Sequence, residues 1–366
     1  MPDSTKYYAE SDINKQKLLD LMCAKRLVLL LGSGCSLPFG YPSWQGLIKL
    51  LEAEATKVRS DLVANQINPE PFVTTSIVSD FPGRAEDVYQ YILSHTGNVG
   101  PYEGIVRTSF KAEGHTGPGL VHDSLIKLPF RGRVTTNYDD LLFLAQKKAS
   151  KHTPPFDVCD GTLGDAVAKF FYGLDSDGES AIAHLHGSYR DLQHLVLRRS
   201  DYKKAYEVTR ESNAVKFGVQ QQFLWTLLST RPVLFVGFGI EDPFIKEVLN
   251  SVIANWGRWY GAWHFALLHK SDNPATDKTK AEDLSRRFGI NAVFYDKLTD
   301  DHQGLDLILS EMEANCGISR ASDSPMDWLD QVNARSAPRP SSIQLQRELD
   351  RSTLALSLQL PFSPQP

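Results

Sequence analysis

Three short polar segments, each at the end of an apolar run, carry the residue types that could do chemistry in this chain. They are Gly32-Ser33-Gly34-Cys35-Ser36, Thr135-Thr136-Asn137-Tyr138-Asp139-Asp140 and His184-Leu185-His186-Gly187-Ser188. In an open parallel sheet the strand ends line one crevice, so segments this far apart in sequence can face one ligand. Small residues let backbone N–H groups approach phosphate oxygens, and a helix start behind them favours negative charge. An asparagine amide both donates and accepts, which suits ribose hydroxyls or an attacking water. An imidazole titrates near neutrality and can act as a base. The first two segments point to a bound nucleotide, and the third supplies a candidate base.

Each segment also has an ordinary structural reading. Leu37 stands where a third glycine would complete G-x-G-x-x-G, and no acidic residue closes an obvious second strand about 20 residues on. The glycine turn is therefore either a phosphate cradle or a tight strand-to-helix turn. Asn137 is either a ligand group or a turn asparagine beside Asp139 and Asp140, which can cap the next helix. His186 is either a base or a satisfied core histidine. His184 and His186, two apart on a strand, share a face, but the further ligands of a metal site cannot be assembled from this sequence, so no metal is expected. Gly237-Phe238-Gly239, followed by Asp242-Pro243, is either a loop around ribose or adenine or a plain helix cap.

The elements that must position these residues are legible as alternating patterns. Arg26–Leu31 is a continuous apolar strand of the kind buried on both faces, preceded by a helix over Lys15–Ala24. Ser43 can cap a helix that starts at Trp44, with Leu47, Leu50 and Leu51 at helical spacing. Residues of about 55–127 carry mixed helical pattern broken by Pro69, Pro71, Pro82, Gly104 and Pro118, which suits a helical insertion forming a smaller lobe. Strands are expected at Gly132–Thr136, Ala181–His186, Pro232–Gly237, Trp263–Leu268 and Asn291–Tyr295. Helices are expected over Leu141–Lys148, from Phe244, and around Asp277–Phe288. Strands alternating with helices predict an α/β fold, a doubly wound, mostly parallel Rossmann-like sheet.

The tail differs. Ser336–Ser342 is rich in Pro and Ser and reads as a linker. Leu354, Leu356, Leu358 and Leu360 alternate with Ala355, Ser357 and Gln359, giving either a strand packed on its own domain or one that adds to another sheet.

Composition narrows the classes. A chain of 366 residues with 42% hydrophobic residues has ample material for a core, and a net charge of −5 argues against general phosphate-backbone binding, so direct contact with nucleic acid is not expected. The four cysteines, Cys23, Cys35, Cys159 and Cys316, form no C-x-x-C pair, which makes a paired-cysteine zinc site improbable and a reducing cytoplasm the simplest location. Met1–Asp20 lacks the pattern of a secretory leader, and no apolar run is long enough to span a bilayer.

Taken in order, these segments resemble the sirtuin-like family, and within it the bacterial branch of NAD-cleaving defence proteins that lacks the zinc module. Gly32-Ser33-Gly34-Cys35-Ser36 is similar to the family's first glycine motif, and Gly40-Tyr41-Pro42-Ser43-Trp44 to the loop covering the nicotinamide side. Thr135-Thr136-Asn137-Tyr138-Asp139 resembles its Asn/Asp motif, His186-Gly187 its catalytic histidine, and Gly237-Phe238-Gly239 to Asp242-Pro243 its adenosine-side loop. The resemblance covers roughly residues 21–314, leaving 1–20 as an N-terminal helical extension and 315–366 as a linker with a possible interaction strand. Two departures stand out: the four-cysteine module of the classical deacylases is missing, and Trp44-Gln45-Gly46 stands where those enzymes carry an arginine.

The resemblance implies that NAD+ is the substrate of a glycohydrolase that depletes it during phage infection. It implies Asn137 and His186 as catalytic residues. It places Gly32, Ser33, Gly34, Ser36, Pro42, Ser43, Trp44, Thr136, Asp139, Gly237, Phe238, Gly239 and Asp242 around the cofactor. Such an activity is toxic unless restrained, so a homo-oligomer or a separate sensor such as a ring-forming ATPase is expected. The alternatives are a non-catalytic NAD or ADP-ribose sensor and a zinc-free protein deacylase.

Overall fold

A computed structural model describes residues 4–319 apart from 114, 150–154, 159–163, 175–180, 212–213, 241, 257–262 and 297–302. The Ser336–Ser342 linker, the Leu354–Leu360 segment and Cys159 lie outside the described residues.

Helix α1 (Ser4–Cys23) leads into strand β1 (Val28–Leu31), which is buried along its whole length. Helices α2 (Trp44–Ala64), α3 (Phe81–Thr96), α4 (Gly100–Phe110) and α5 (Leu120–Lys127) follow before β2 (Gly132–Thr135). Next come α6 (Leu141–Lys148), β3 (Phe156–Asp157), α7 (Gly164–Gly173) and β4 (Ile182–His184). Helix α8 (Arg199–Tyr206) and the hairpin β5 (Val208–Glu211) and β6 (Ala214–Phe217) precede α9 (Val219–Thr230). The chain continues with β7 (Val233–Val236), α10 (Pro243–Trp256), β8 (His264–His269), α11 (Pro274–Phe288), β9 (Ile290–Tyr295) and α12 (Gln303–Ser319).

Seven strands form one sheet in the order β3-β4-β2-β1-β7-β8-β9, every pair parallel, and helices cover both faces. This is the doubly wound, Rossmann-like α/β fold that the alternation of apolar runs predicts. One face packs Val28, Leu30, Val134, Phe235 and Ala266 against α8, α9, α10 and α11 through Tyr202, Phe223, Leu227, Leu249 and Leu284. The other packs Leu29, Leu31, Leu234 and Phe265 against α1, α5, α6 and α12 through Leu18, Leu125, Leu142 and Leu309. Helices α2, α3 and α4 share a third core with Leu47, Leu51, Val88, Ile92 and Val106. Helix α5 packs with α6 and α12 instead, so it flanks the sheet.

The strand order puts the site where it is. Successive connections run from β1 toward β2 on one side and begin again at β7 on the other, so β1 and β7 flank the topological switch point, the place where such sheets bind ligands. The Gly32 N–H donates to the Val236 carbonyl (2.9 Å) and the Gly34 N–H to the Gly237 carbonyl (2.9 Å), locking the two turns together. A Cβ on Gly32 would fall 2.5 Å from the Gly237 oxygen, and Gly237 itself has φ +61, in the left-handed region that favours glycine. Gly32→Ala should therefore destabilise the protein by about 1–3 kcal/mol through overpacking, read as a lower denaturant midpoint with the slope unchanged.

Two buried histidines outside the named site residues carry a second expectation. His264 is fully enclosed at the start of β8, where its Nδ1 accepts the Val233 N–H (3.2 Å), and burial pushes its pKa down to about 3. His122 on α5 is buried edge-on to Phe39, and burial lowers its pKa to about 4. The unfolded chain takes up these protons below its ordinary pKa of 6.5 while the native chain does not, so stability falls as pH drops from about 6.5. At pH 5 each histidine should cost about 2 kcal/mol relative to pH 7. Urea titrations at the two pH values check this; His264→Gln should weaken the dependence.

Candidate functional site

Hydrogen bonds join the segments that follow β1, β2 and β7 at the carboxyl end of the sheet. After β1, Ser33–Cys35 forms a single turn of 3-10 helix, which places Ser36 under the loop that follows β2. Asn137 is buried there, and its Nδ2 donates to the Gly32 carbonyl (3.2 Å) and the Ser36 hydroxyl (3.0 Å). A carbonyl oxygen can only accept, so this contact fixes which way the amide points. The consequence is that Asn137 Oδ1 is buried with no hydrogen-bond partner. A buried acceptor left unmatched costs free energy, and a ligand donor is one way to satisfy it.

The groups around Asn137 hold it still. Its backbone N–H donates to Thr135 Oγ1 (3.0 Å), and its carbonyl meets His184 Nδ1 (3.1 Å). Thr136 N–H donates to the Leu31 carbonyl, which binds the second segment to β1. Asp139 Oδ1 accepts the Leu141 N–H (3.0 Å), an Asx-type cap on α6, and its carboxyl also meets the Ser36 hydroxyl. Burial raises the Asp139 pKa against those two hydrogen bonds and the nearby His184. Ser36 thus connects Asn137 to Asp139. Asp157 on β3 accepts from Ser188 Oγ (3.1 Å), and its pKa too is raised by burial.

His186 lies past the end of β4, in a turn, where it does not share a strand face with His184. Its Nε2 is 2.7 Å from the Tyr206 hydroxyl, whereas His184 turns to Asn137, so the two rings do not converge on one point. Burial lowers the His186 pKa, with Asp242 pulling the other way, so the imidazole is neutral at neutral pH. The edge of its ring meets Tyr202 and Tyr206. Tyr202 stacks on Phe244 (4.4 Å) and Trp44 (5.9 Å), and its hydroxyl donates to Asp242 Oδ2 (3.2 Å).

The remaining sequence-named residues divide by what occupies their polar groups. The N–H groups of Gly32 and Gly34 are spent on the β7 end, which leaves the exposed Ser33 as the polar group that the first turn offers. Ser43 caps α2 by accepting the Gly46 N–H (3.0 Å), and Pro42 precedes it. Asp242 caps α10 by accepting from Phe244 and Ile245, besides its contact with Tyr202. Gly237, Phe238 and Gly239 form the turn facing Gly32, with Phe238 against Phe235. Tyr41 Oη, on the loop before α2, and Trp44 Nε1, at the first residue of α2, are further buried polar atoms without hydrogen-bond partners.

Tyr202 and Tyr206 are the residues that sequence reasoning missed. They sit four apart on α8, on one face of an otherwise polar helix, and that spacing was the available signal. Among the described residues no group of three or more His, Cys, Asp or Glu side chains could hold a metal ion, and no helix is long and apolar enough to cross a membrane.

Comparison with known proteins follows the same lines. A family model described as the SIR2-like domain matches residues 131–293, from β2 through β9. The chain is 21% identical to Defense-associated sirtuin 2 of Bacillus subtilis over 230 residues, 62% of this chain and 19% of that protein. It is 25% identical to the NAD(+) hydrolase ThsA of Bacillus cereus (strain MSX-D12) over 241 residues, 66% of this chain and 42% of that protein. With the NAD(+) hydrolase ThsA of Cytobacillus dafuensis it shares 21% identity over 286 residues, 78% of this chain and 49% of that protein. The chain thus spans half or less of the length of the curated relatives it matches.

Proposed function

We propose that this sirtuin-like chain is an NAD+ glycohydrolase, cleaving the bond between nicotinamide and ribose to give nicotinamide and ADP-ribose, and that it depletes NAD+ in defence against phage. The observation that carries the reading is Asn137: an amide clamped at its nitrogen by Gly32 and Ser36, with its oxygen buried and unmatched at the switch point of the sheet. The relatives named as NAD(+) hydrolases support the choice of substrate.

In this reading Ser33 and the turn around it meet the diphosphate, while Asn137 Oδ1 accepts from a ribose hydroxyl or the attacking water. Cleavage passes through an oxocarbenium-like state. The electron pair of the breaking C–N bond goes to the ring nitrogen, so nicotinamide leaves neutral and needs no strong acid. Water adds to the ribose carbon and gives its proton to His186. With Nε2–H of His186 taken as the donor to the Tyr206 oxygen 2.7 Å away, Nδ1 is left to receive that proton. Thr136, Asp139 and Ser36 position Asn137, and Pro42, Ser43, Trp44, Phe238 and Asp242 shape the walls.

The test is product analysis by chromatography with NAD+ and no peptide present. Nicotinamide and ADP-ribose in equal amounts are expected. Consumption only on adding an acylated peptide would replace the reading with a deacylase, and binding without products would replace it with a sensor. Tyr206→Phe should lower kcat about tenfold and move the acid limb of the rate profile to lower pH, because the acceptor that stabilises a protonated His186 is lost. A pH–rate profile of the variant checks both.

A further inference from the structure

On the far side of the sheet from the Tyr202 cluster, the last residue of α1 meets the last turns of α12. Cys23 Sγ lies 3.3 Å from Cys316 Sγ, although 293 positions separate the two residues in the chain. The contact belongs to a continuous seam: Leu18, Leu19 and Met22 of α1 share the same core as Leu305, Leu309 and Met312 of α12, and Lys15 pairs with Glu311 at 2.6 Å. Packing, not a crosslink, holds the two sulfurs together, since both residues are thiols. We propose that Cys23 and Cys316 form an oxidation site, a vicinal thiol pair that a peroxide converts to an intramolecular disulfide tying α1 to α12.

The steps balance. Cys23 is half-buried and Cys316 buried, so a small peroxide meets Cys23 first. The Cys23 sulfur attacks one peroxide oxygen, the O–O bond breaks, and a sulfenic acid and one water result. The Cys316 sulfur then attacks the Cys23 sulfur, the S–O bond breaks, and the hydroxyl leaves with the Cys316 proton as a second water. Each sulfur is oxidised by one electron, and the peroxide takes both. A resolving thiol this close intercepts the sulfenic acid before further oxidation.

The remaining described thiol behaves differently. Cys35 is buried behind the glycine turn, and burial together with Asp139 and Asp306 pushes its pKa up to about 12, which leaves it little thiolate to react. Oxidation should therefore be selective. Its structural effect is also predictable, because closing so long a loop restricts the unfolded chain far more than the native one.

The experiment treats the full-length protein with a small molar excess of hydrogen peroxide, then blocks the remaining thiols and digests with trypsin. Peptide 18–25, which holds Cys23, and peptide 298–320, which holds Cys316, are expected as one linked species lighter than their sum by two hydrogens. The linked protein should melt several degrees higher and return to the original midpoint with dithiothreitol. Cys23→Ser and Cys316→Ser should each lose the peroxide-induced rise, the midpoint of each variant being the same with and without peroxide, whatever the buried serine costs at position 316. The proposal is overturned if the folded protein yields only over-oxidised Cys23, links between chains, or a linked peptide with an unchanged or lower midpoint.

Discussion

Asn137→Ala should lower kcat for NAD+ breakdown by roughly 10²-fold or more while leaving the protein folded. Positioned hydrogen-bonding groups at a reacting centre commonly carry effects of that size. The loss should fall on kcat rather than KM, since the segments proposed to meet the diphosphate and adenosine are other ones. Removing the amide also ends its bonds to the Gly32 carbonyl and the Ser36 hydroxyl, which should cost about 1–3 kcal/mol of stability. Ser36→Ala separates the two effects. It keeps the amide but releases one of its anchors, so it should lower kcat about tenfold, in line with the loss of one orienting hydrogen bond. A Ser36→Ala enzyme as inactive as Asn137→Ala would make the hydroxyl a participant rather than a support.

His186→Phe is the second large effect. A phenyl ring keeps the edge contacts with Tyr202 and Tyr206 but offers no base, and kcat should drop by about 10²–10⁴-fold. The pH profile gives the independent reading. Burial holds His186 below the ordinary imidazole value, so the neutral base persists as pH falls through 6.5, and the wild-type rate should decline only at lower pH. Asp242 opposes that shift, so Asp242→Asn should move the acid limb lower still. A wild-type limb above 6.5 would assign the titration to another group.

The fold was largely legible because its inner strands are buried on both faces. Val28–Leu31 and Val233–Val236 read as strands from apolar runs alone, and Leu141–Lys148 matches its predicted bounds. What the pattern could not carry was anything short or polar. Strand β3 has only two residues and leaves no periodic signal, and α8 offers no more than Tyr202, Ala205 and Tyr206 at helical spacing in an otherwise polar segment. Strand order was equally hidden, because alternation of strands and helices specifies parallel pairing but not which strand sits between which.

The candidate site divides in the same way. Segment positions were legible because strand ends are. The close approach of Gly32 to Gly237 was not, since it joins residues about two hundred positions apart and converts a turn that resembles a phosphate cradle into a backbone clasp. Asp139 takes the structural reading, accepting the Leu141 N–H at the start of α6, and its carboxyl also meets Ser36, a contact between segments about a hundred positions apart that no local pattern shows. The pairing of His186 with Tyr206 depends on α8 folding back over the sheet, which no local pattern announces.

The most direct test of the account is a crystal structure of the protein with ADP-ribose bound. The diphosphate is expected beside Ser33, at the carboxyl ends of β1 and β7, with Asn137 Oδ1 within hydrogen-bond distance of a ribose hydroxyl or of a water beside the anomeric carbon. ADP-ribose bound elsewhere, or bound there with Asn137 Oδ1 still unmatched, would contradict it.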